Sequence, residues 1–434
     1  MSKETIDIHL LFQSGQLFMP TAIGLFSLNH LFPRSAQIKA EEQEKNLLNQ
    51  FPGITKAQLQ VAKNYSSPWL LGPELCPELI SVIEHLYTPE QAEVVQYITP
   101  LRLKTSKQIA QESNRPEPEV RAILEEIEKF PSSLLVLNSE KGPKRYGIIP
   151  LGAGTFESVL IKTDFSHYTP WHQEFARRFE KLWSTGYISR YLEKPSQGVR
   201  YIPSYPTISN HPSALPSDRL PEVLERYDYI AVGICQCRVV AKFNNYVCQR
   251  PMETCITFGG LAKRLVEKGH SRKIDAQEAL EIKFRAEEAG LATWLINYEN
   301  KGMESNASCS CCGCCCHGLQ TITKFNKPGL VAPPHFMPKI DPEKCTYCGK
   351  CQKQCPTNAH QVNEEEHSFD PLRCLGCGLC VRACPKQALE MEPVPDYKAP
   401  PQTRLQFLRT LLPPYLKTVR AEKKRRKKAQ KISS

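Results

Sequence analysis

At 434 residues the chain exceeds what one hydrophobic core usually supports, so about two to four domains are expected. Its 41% apolar content is ordinary for a soluble protein, but 35 prolines and 19 cysteines are not, and they point to loop-rich segments and thiol chemistry. The net charge of +11 excludes less than it suggests: residues 401–434 hold eleven Lys or Arg against one acid, so the tail carries +10 and residues 1–400 only +1.

The N-terminus, MSKETIDIHLL, lacks a basic region followed by a clean apolar core, so no secretory signal is read there. Residues 10–32 carry no full charge, but Gln13, Gln16, Pro20, Asn29 and His30 interrupt them, which predicts buried helix and turn rather than a membrane span. The expected location is therefore a reducing cytosol, where thiols bind metals or react and seldom form structural disulfides. Residues 1–87 read as a helical N-terminal region, with KAEEQEKNLLNQF and PELISVIEHLY as short amphipathic helices and Cys76 as inert core between them.

Residues 88–165 read as a winged-helix-like domain. Thr88 and Gln91 make a capping box, TSKQIAQES follows, and EVRAILEEIEKF sets Val120, Ile123, Leu124 and Ile127 on one face. LLVLNSEKGPKRYGIIP then reads as two strands around a turn. The helix that would enter a DNA groove, 117–129, carries five Glu against Arg121 and Lys129, the wrong sign for phosphate. Lys141, Lys144 and Arg145 on the wing leave DNA as the lesser alternative, and a structural or docking role is expected.

Residues 166–330 read as a cysteine-rich domain. A helix is predicted at HQEFARRFEKLW, and YIPSYPTISNHPSALPSDRLP has too many prolines for a regular element and is expected to drape over a neighbour. The segment VGICQCRVVAKFNNYVCQRPMETCITFGG supplies Cys235, Cys237, Cys248 and Cys255. Two predicted helices then fold the chain back, with Asp275 and Glu278 opening the second and Gly290 ending it, so that CSCCGCCCHG can meet the first four thiols. That run holds Cys309, Cys311, Cys312, Cys314, Cys315 and Cys316, which cannot all face one cubane because adjacent residues point different ways. The ten thiols are pooled as ligands of one or two further iron–sulfur clusters, with zinc as the alternative. His317 is a lesser candidate ligand, since a histidine after such a loop is more often solvated.

Residues 331–395 carry the strongest signal. IDPEKCTYCGKCQKQCPTNA and FDPLRCLGCGLCVRACPKQA repeat at an offset of 29, each with the form C-x2-C-x2-C-x3-C-P. The two-residue gaps let one tight loop aim three thiolates at three irons, while the fourth cysteine starts the next element and points away. Gly349, Gly376 and Gly378 permit the turns. This segment resembles the bacterial dicluster ferredoxin fold. The resemblance implies that Cys345, Cys348, Cys351 and Cys384 hold one [4Fe–4S] cluster, and Cys374, Cys377, Cys380 and Cys355 the other. The C-x-C-R segment, the helical pair, the CCGCCC run and this tail together look like a group of 4Fe–4S binding proteins of anaerobic bacteria, which implies electron transfer and no particular substrate.

Residues 396–434 read as a basic tail. Leu405, Leu408, Leu411 and Leu412 have helical spacing, Pro413 and Pro414 interrupt it, and a run of like charge follows. A solvated end and attachment to an anionic membrane surface, at the inner face, are the two leading readings, and nucleic acid is a third candidate. GAGTFE at 152–157 lacks the dinucleotide pattern and no Walker A sequence occurs. The expectation is an α+β multidomain, oxygen-sensitive electron-transfer protein with a protein redox partner and no identified small-molecule substrate. A redox-sensing regulator, or a reductase with a site at a middle cluster, is the rival.

Overall fold

The computed structural model describes residues 45–46, 48–139, 142–193, 198–298 and 305–432. The apolar stretch at 10–32 and the wing's Lys141 lie outside them. Two compact units result: residues 1–160 with 170–187, and residues 161–169 with 188–434.

The first unit is mostly helical. Helices α1 (Lys56–Tyr65), α2 (Pro77–Leu86) and α3 (Pro89–Val95) come first, and capping boxes at Thr55 and Thr88 start α1 and α3. Cys76 is the half-buried residue just before α2. Strand β1 (Lys104–Thr105), α4 (Ser106–Ser113), α5 (Glu117–Lys129), β2 (Leu134–Ser139) and β3 (Gly142–Ile148) follow, and the strands form an antiparallel sheet in the order β1-β3-β2. Helix α5 buries Val120, Ile123, Leu124 and Ile127, the face its periodicity predicts. Helix α6 (Pro170–Ser184) buries Phe175, Ala176, Phe179 and Trp183 in the same unit.

The second unit holds the cysteine-rich and ferredoxin-like regions together. Its six-stranded antiparallel sheet has the order β4-β8-β9-β6-β5-β7. The strands are β4 (Val199–Tyr201), β5 (Ile230–Ile234), β6 (Glu253–Phe258), β7 (Arg272–Ile274), β8 (Ala292–Ile296) and β9 (Ser305–Cys311). Helices α7 (Gln236–Phe243), α8 (Gly259–Glu267) and α9 (Ala276–Glu288) connect them. Val232, Ile256, Phe258, Ile282 and Leu295 form the core between sheet and helices. Asp275 accepts the Glu278 N–H at 2.8 Å to start α9, and Gly290, at φ +79°, ends the turn after it.

Register decides where the thiols go. Strand β9 lies between β6 and β8, with Ile256 opposite Ser308, Trp294 opposite Cys309 and Ala292 opposite Cys311. The dense cysteine run therefore leaves the sheet beside Cys255. Helix α10 (His317–Thr323) begins at once after Cys316.

The ferredoxin-like region pairs β10 (Phe336–Ile340) with β13 (Leu389–Pro393), and β11 (His360–Val362) with β12 (His367–Phe369), both antiparallel. Helices α11 (Lys350–Gln354) and α12 (Leu379–Ala383) each start from a glycine, Gly349 or Gly378, at φ +69°. The proline-rich line before β5 does drape over this region: Ile208 and Ala214 pack with Phe336 and Met391.

The tail departs from expectation. Helix α13 (Arg404–Ile432) runs through Pro413 and Pro414 instead of breaking there. Phe407, Leu411, Tyr415 and Val419 recur every four residues and are buried, so packing outweighs the backbone bonds that proline forfeits. Phe407 meets Tyr298 at 5.3 Å between ring centroids. Glu422 is buried and takes bonds from Arg425 and Arg426, and Arg426 also donates to the Tyr191 hydroxyl at 2.9 Å. This segment is a docked helix with Lys423, Lys424, Lys427 and Lys428 exposed, not a solvated coil. Among the described residues no helix is long and apolar enough to cross a membrane.

Candidate metal centres

The ferredoxin-like loops converge as two sets of four thiols. Cys345, Cys348, Cys351 and Cys384 line one cavity, so the fourth member comes from the second motif. Cys355, from the first motif, acts electrostatically on Cys374, Cys377 and Cys380. Backbone N–H groups point at sulfur: Gly376 to Cys374 at 3.3 Å, Ala388 to Cys384 at 3.3 Å and Ala359 to Cys355 at 3.2 Å. Burial pushes the Cys374 thiol up to about 12, and Cys377 and Cys380 also rise. Groups so buried ionise only against a cation, and donors placed for thiolate are what such a thiolate needs. The donor set fits a pair of iron–sulfur clusters.

Two histidines that the motif spacing does not announce stand beside the first set. His367 also lines its cavity, with Nδ1 3.7 Å from Cys345 Sγ and Nε2 3.6 Å from Cys351 Sγ. His360 Nδ1 lies 2.9 Å from His367 Nε2. Burial, with the neighbouring His367, holds His360 down to about 4. They lie on paired strands seven residues apart, a proximity visible only once β11 and β12 are aligned.

The ten middle cysteines separate into two groups. Cys248, Cys312, Cys314 and Cys315 bring their sulfurs within 4.8 Å of one another. The other six form a chain of paired thiols: Cys255 with Cys309, and Cys235 with Cys237, Cys316 and Cys311 in turn. Cys235 and Cys316 each stand just before a helix, α7 or α10, and accept backbone N–H groups from Arg238 and Leu319. Both groups ionise more readily, Cys235 chiefly through its bond with Cys237 and Cys316 through its bonds with Cys237 and Cys311, and the backbone N–H donors at the helix starts add to this.

Two cations are buried here. Arg238 is 1% exposed and bonds Ser310 O and the Thr254 hydroxyl; burial opposes its charge, and Cys235 and Cys312 outweigh that. Lys283 is fully buried and donates to Cys309 O at 2.8 Å and Ser310 Oγ at 3.1 Å. Burial draws its ammonium down to about 8 against the pull of Cys309, Cys311 and Cys255. Tyr201 sits against the same thiols, with a bond to Cys311. Arg238 belongs to the C-x-C-R segment, whose spacing assigns it no role, and Lys283 lies in a helix of mixed charge that does not single it out. His317 is buried at the first position of α10, so it is not the solvated side chain its loop suggested.

The middle thiols and the second ferredoxin set share one apolar cluster. Tyr201, Cys309, Cys311, Cys316, Leu319 and Ile322 pack with Leu375, Cys377 and Leu379. The contact is close in backbone too: a Cβ at Gly313 would fall 2.0 Å from Pro356 O, next to Cys355. At Gly290 the neighbour is the Gln354 side chain, 3.1 Å from where a Cβ would stand, and Ser204 N–H donates to Cys377 O at 2.9 Å. Arg382 of α12 meets the buried Glu287 of α9 at 3.1 Å, and Ser204 and Thr293 also donate to that carboxylate.

Residues 337–387 match the family model of the 4Fe-4S dicluster domain. This segment is a dicluster ferredoxin domain, its cysteines point to iron–sulfur cofactors, and the middle groups add further metal-ligating thiols. No curated protein and no solved structure matches the chain.

Proposed function

We propose that the protein relays single electrons between a redox partner and a third iron–sulfur centre in its middle region. On this reading Cys345, Cys348, Cys351 and Cys384 hold one ferredoxin cluster and Cys355, Cys374, Cys377 and Cys380 the other. Cys235, Cys237, Cys255, Cys309, Cys311 and Cys316 hold the third. The clusters supply the one-electron redox chemistry. The observation that carries the reading is the apolar cluster in which Cys377 packs with Cys309, Cys311 and Cys316. Two thiol sets that share one apolar wall adjoin each other away from solvent.

The chain's own residues do the rest. Arg238 and Lys283 offset thiolate charge that burial alone would make unfavourable. Gly313 lets the cysteine run approach Pro356 without a side chain between them. Cys348 is exposed and Tyr347 is 37% exposed, so electrons enter from the partner at the first set. The exposed lysines of α13 suit an acidic surface on that partner.

The order of elements from α3 to β3, and the β1-β3-β2 sheet, support a winged-helix unit. Lys144 is tied to Glu128 at 3.0 Å and Arg121 to Glu117 at 2.8 Å, so these basic side chains already answer carboxylates on α5. A docking role fits better than DNA binding. The test of the relay is iron and acid-labile sulfide per chain after strictly anaerobic purification. About twelve or more of each is expected, at about four per cluster. About eight of each, on the same arithmetic, means that only the ferredoxin pair is filled and the relay stops there.

A further inference from the structure

The compact group at Cys248, Cys312, Cys314 and Cys315 has a different geometry from every other thiol set in the chain. Among the described residues, one other group of three or more metal-ligating side chains closes to within 4.8 Å, Cys351 with His360 and His367. The four compact thiols come from two places, the loop after α7 and the turn after β9. Cys314 and Cys315 stand 3.6 Å apart in sulfur–sulfur distance. Cys312 takes side-chain bonds from both and a backbone bond from Cys315.

Those spacings discriminate between cofactors. Four thiolates around one zinc ion, each about 2.3 Å from it, lie about 3.8 Å from one another. Thiolates on a cubane attach to four separate irons and sit on the order of 6 Å apart. A group closed to within 4.8 Å fits the single ion and is too tight for a cube. The first ferredoxin set behaves the other way: its four thiols line a cavity, and no three of them close to that distance.

We propose that Cys248, Cys312, Cys314 and Cys315 hold one tetrahedral zinc ion, and that this ion is a structural clip separate from the electron path. The surroundings suit it. A zinc tetrathiolate carries a net charge of −2, and two guanidiniums face it. Arg250 Nη1 lies 3.4 Å from Cys314 Sγ and is anchored by Nε donating to Ala289 O at 3.0 Å. Arg238 faces Cys312 from the buried side, and Tyr246 bonds Cys314 from the open side. Such partners orient ligands and moderate their charge. The clip joins the loop around Cys248 to the turn that contains Gly313, and so holds Gly313 against Pro356 O. It adjoins the proposed relay and rests on that reading only in assigning iron to the fourteen cysteines of the other three sites rather than to this one.

The experiment uses the full chain, purified anaerobically, with zinc, iron and sulfide counted in wild type and in Cys248→Ser. One zinc per chain is expected in wild type and close to none in the variant, with iron and sulfide unchanged. Iron and sulfide that fall by about four each, with zinc absent throughout, overturn the proposal. So does zinc that stays in the variant. Should Cys248→Ser fail to fold, zinc-edge X-ray absorption of the wild-type protein decides alone: four sulfurs at about 2.3 Å support the clip, and fewer sulfurs or no zinc overturn it. The relay fails separately, through an iron count near eight, whatever the zinc result.

Discussion

The ferredoxin domain gathers eight thiols and the middle region ten, by opposite means. In the ferredoxin domain three ligands come from one short loop, spaced by two residues, and glycines at φ +69° or +68° turn the backbone around the site. The middle region takes its ligands from strand ends, helix starts and a distant loop, and lets adjacent cysteines diverge. Cys311 joins Cys316 while its neighbour Cys312 joins Cys248. Spacing with gaps makes one site from one segment. Crowding without gaps divides one segment between two sites.

The most damaging test of this contrast removes two ligands from one ferredoxin loop. Cys374→Ala with Cys377→Ala is expected to release about four irons and four sulfides per chain and leave the zinc count alone. If zinc falls with the iron, the two regions are not separate in the way described. Next in size is Gly313→Val. A Cβ 2.0 Å from Pro356 O forces the turn away from the ferredoxin domain, at a cost of about 3 kcal/mol or more. Chemical denaturation should register the loss, and the magnetic coupling between the second ferredoxin centre and the middle centre should weaken in electron paramagnetic resonance. Coupling that survives unchanged would show that the junction does not depend on this contact.

Arg382→Gln acts on the same junction with less force. It strips the cation from Glu287, whose side chain is 2% exposed, while Arg382 is 25% exposed. Ser204 and Thr293 remain as donors, so about 2–3 kcal/mol is expected, below what breaking a fully buried pair costs. Thermal unfolding would measure it, and iron content should hold. The mildest change is Gln354→Ala, which trims the side chain that rests on Gly290 and should move stability by less than about 1 kcal/mol. A larger effect there would sharpen the comparison by moving weight from the Gly313 contact to its neighbour.

How far these sites were readable from sequence follows from the same contrast. The ferredoxin ligands announce themselves because every partner but one lies within a seven-residue loop that repeats 29 residues on. The pooling of ten middle thiols was also legible, along with the two helices that return the chain. Their division into six and four was not, because it depends on β9 entering between β6 and β8 at one register. A slip by one residue would exchange the faces of Cys309 and Ser310. Lys283 lies in a helix of mixed charge that does not single it out, and only tertiary packing puts its ammonium on Cys309 O. In the tail, local rules favoured a break at Pro413, whereas a buried stripe from Phe407 to Val419 carries the helix across it.

The close approach of Gly313 to Pro356 has a consequence for exchanging parts. A carbonyl next to a hydrogen-only Cα recognises no side chain, so this contact asks nothing of the ferredoxin domain beyond its own loop shape, and side-chain recognition falls to Arg382, Leu375 and Leu379. Any segment with a proline after its fourth cysteine offers the same carbonyl at the same place. Donor ferredoxin domains that keep counterparts of Arg382, Leu375 and Leu379 could therefore be grafted here, whereas a single methyl group at position 313 would bar them all.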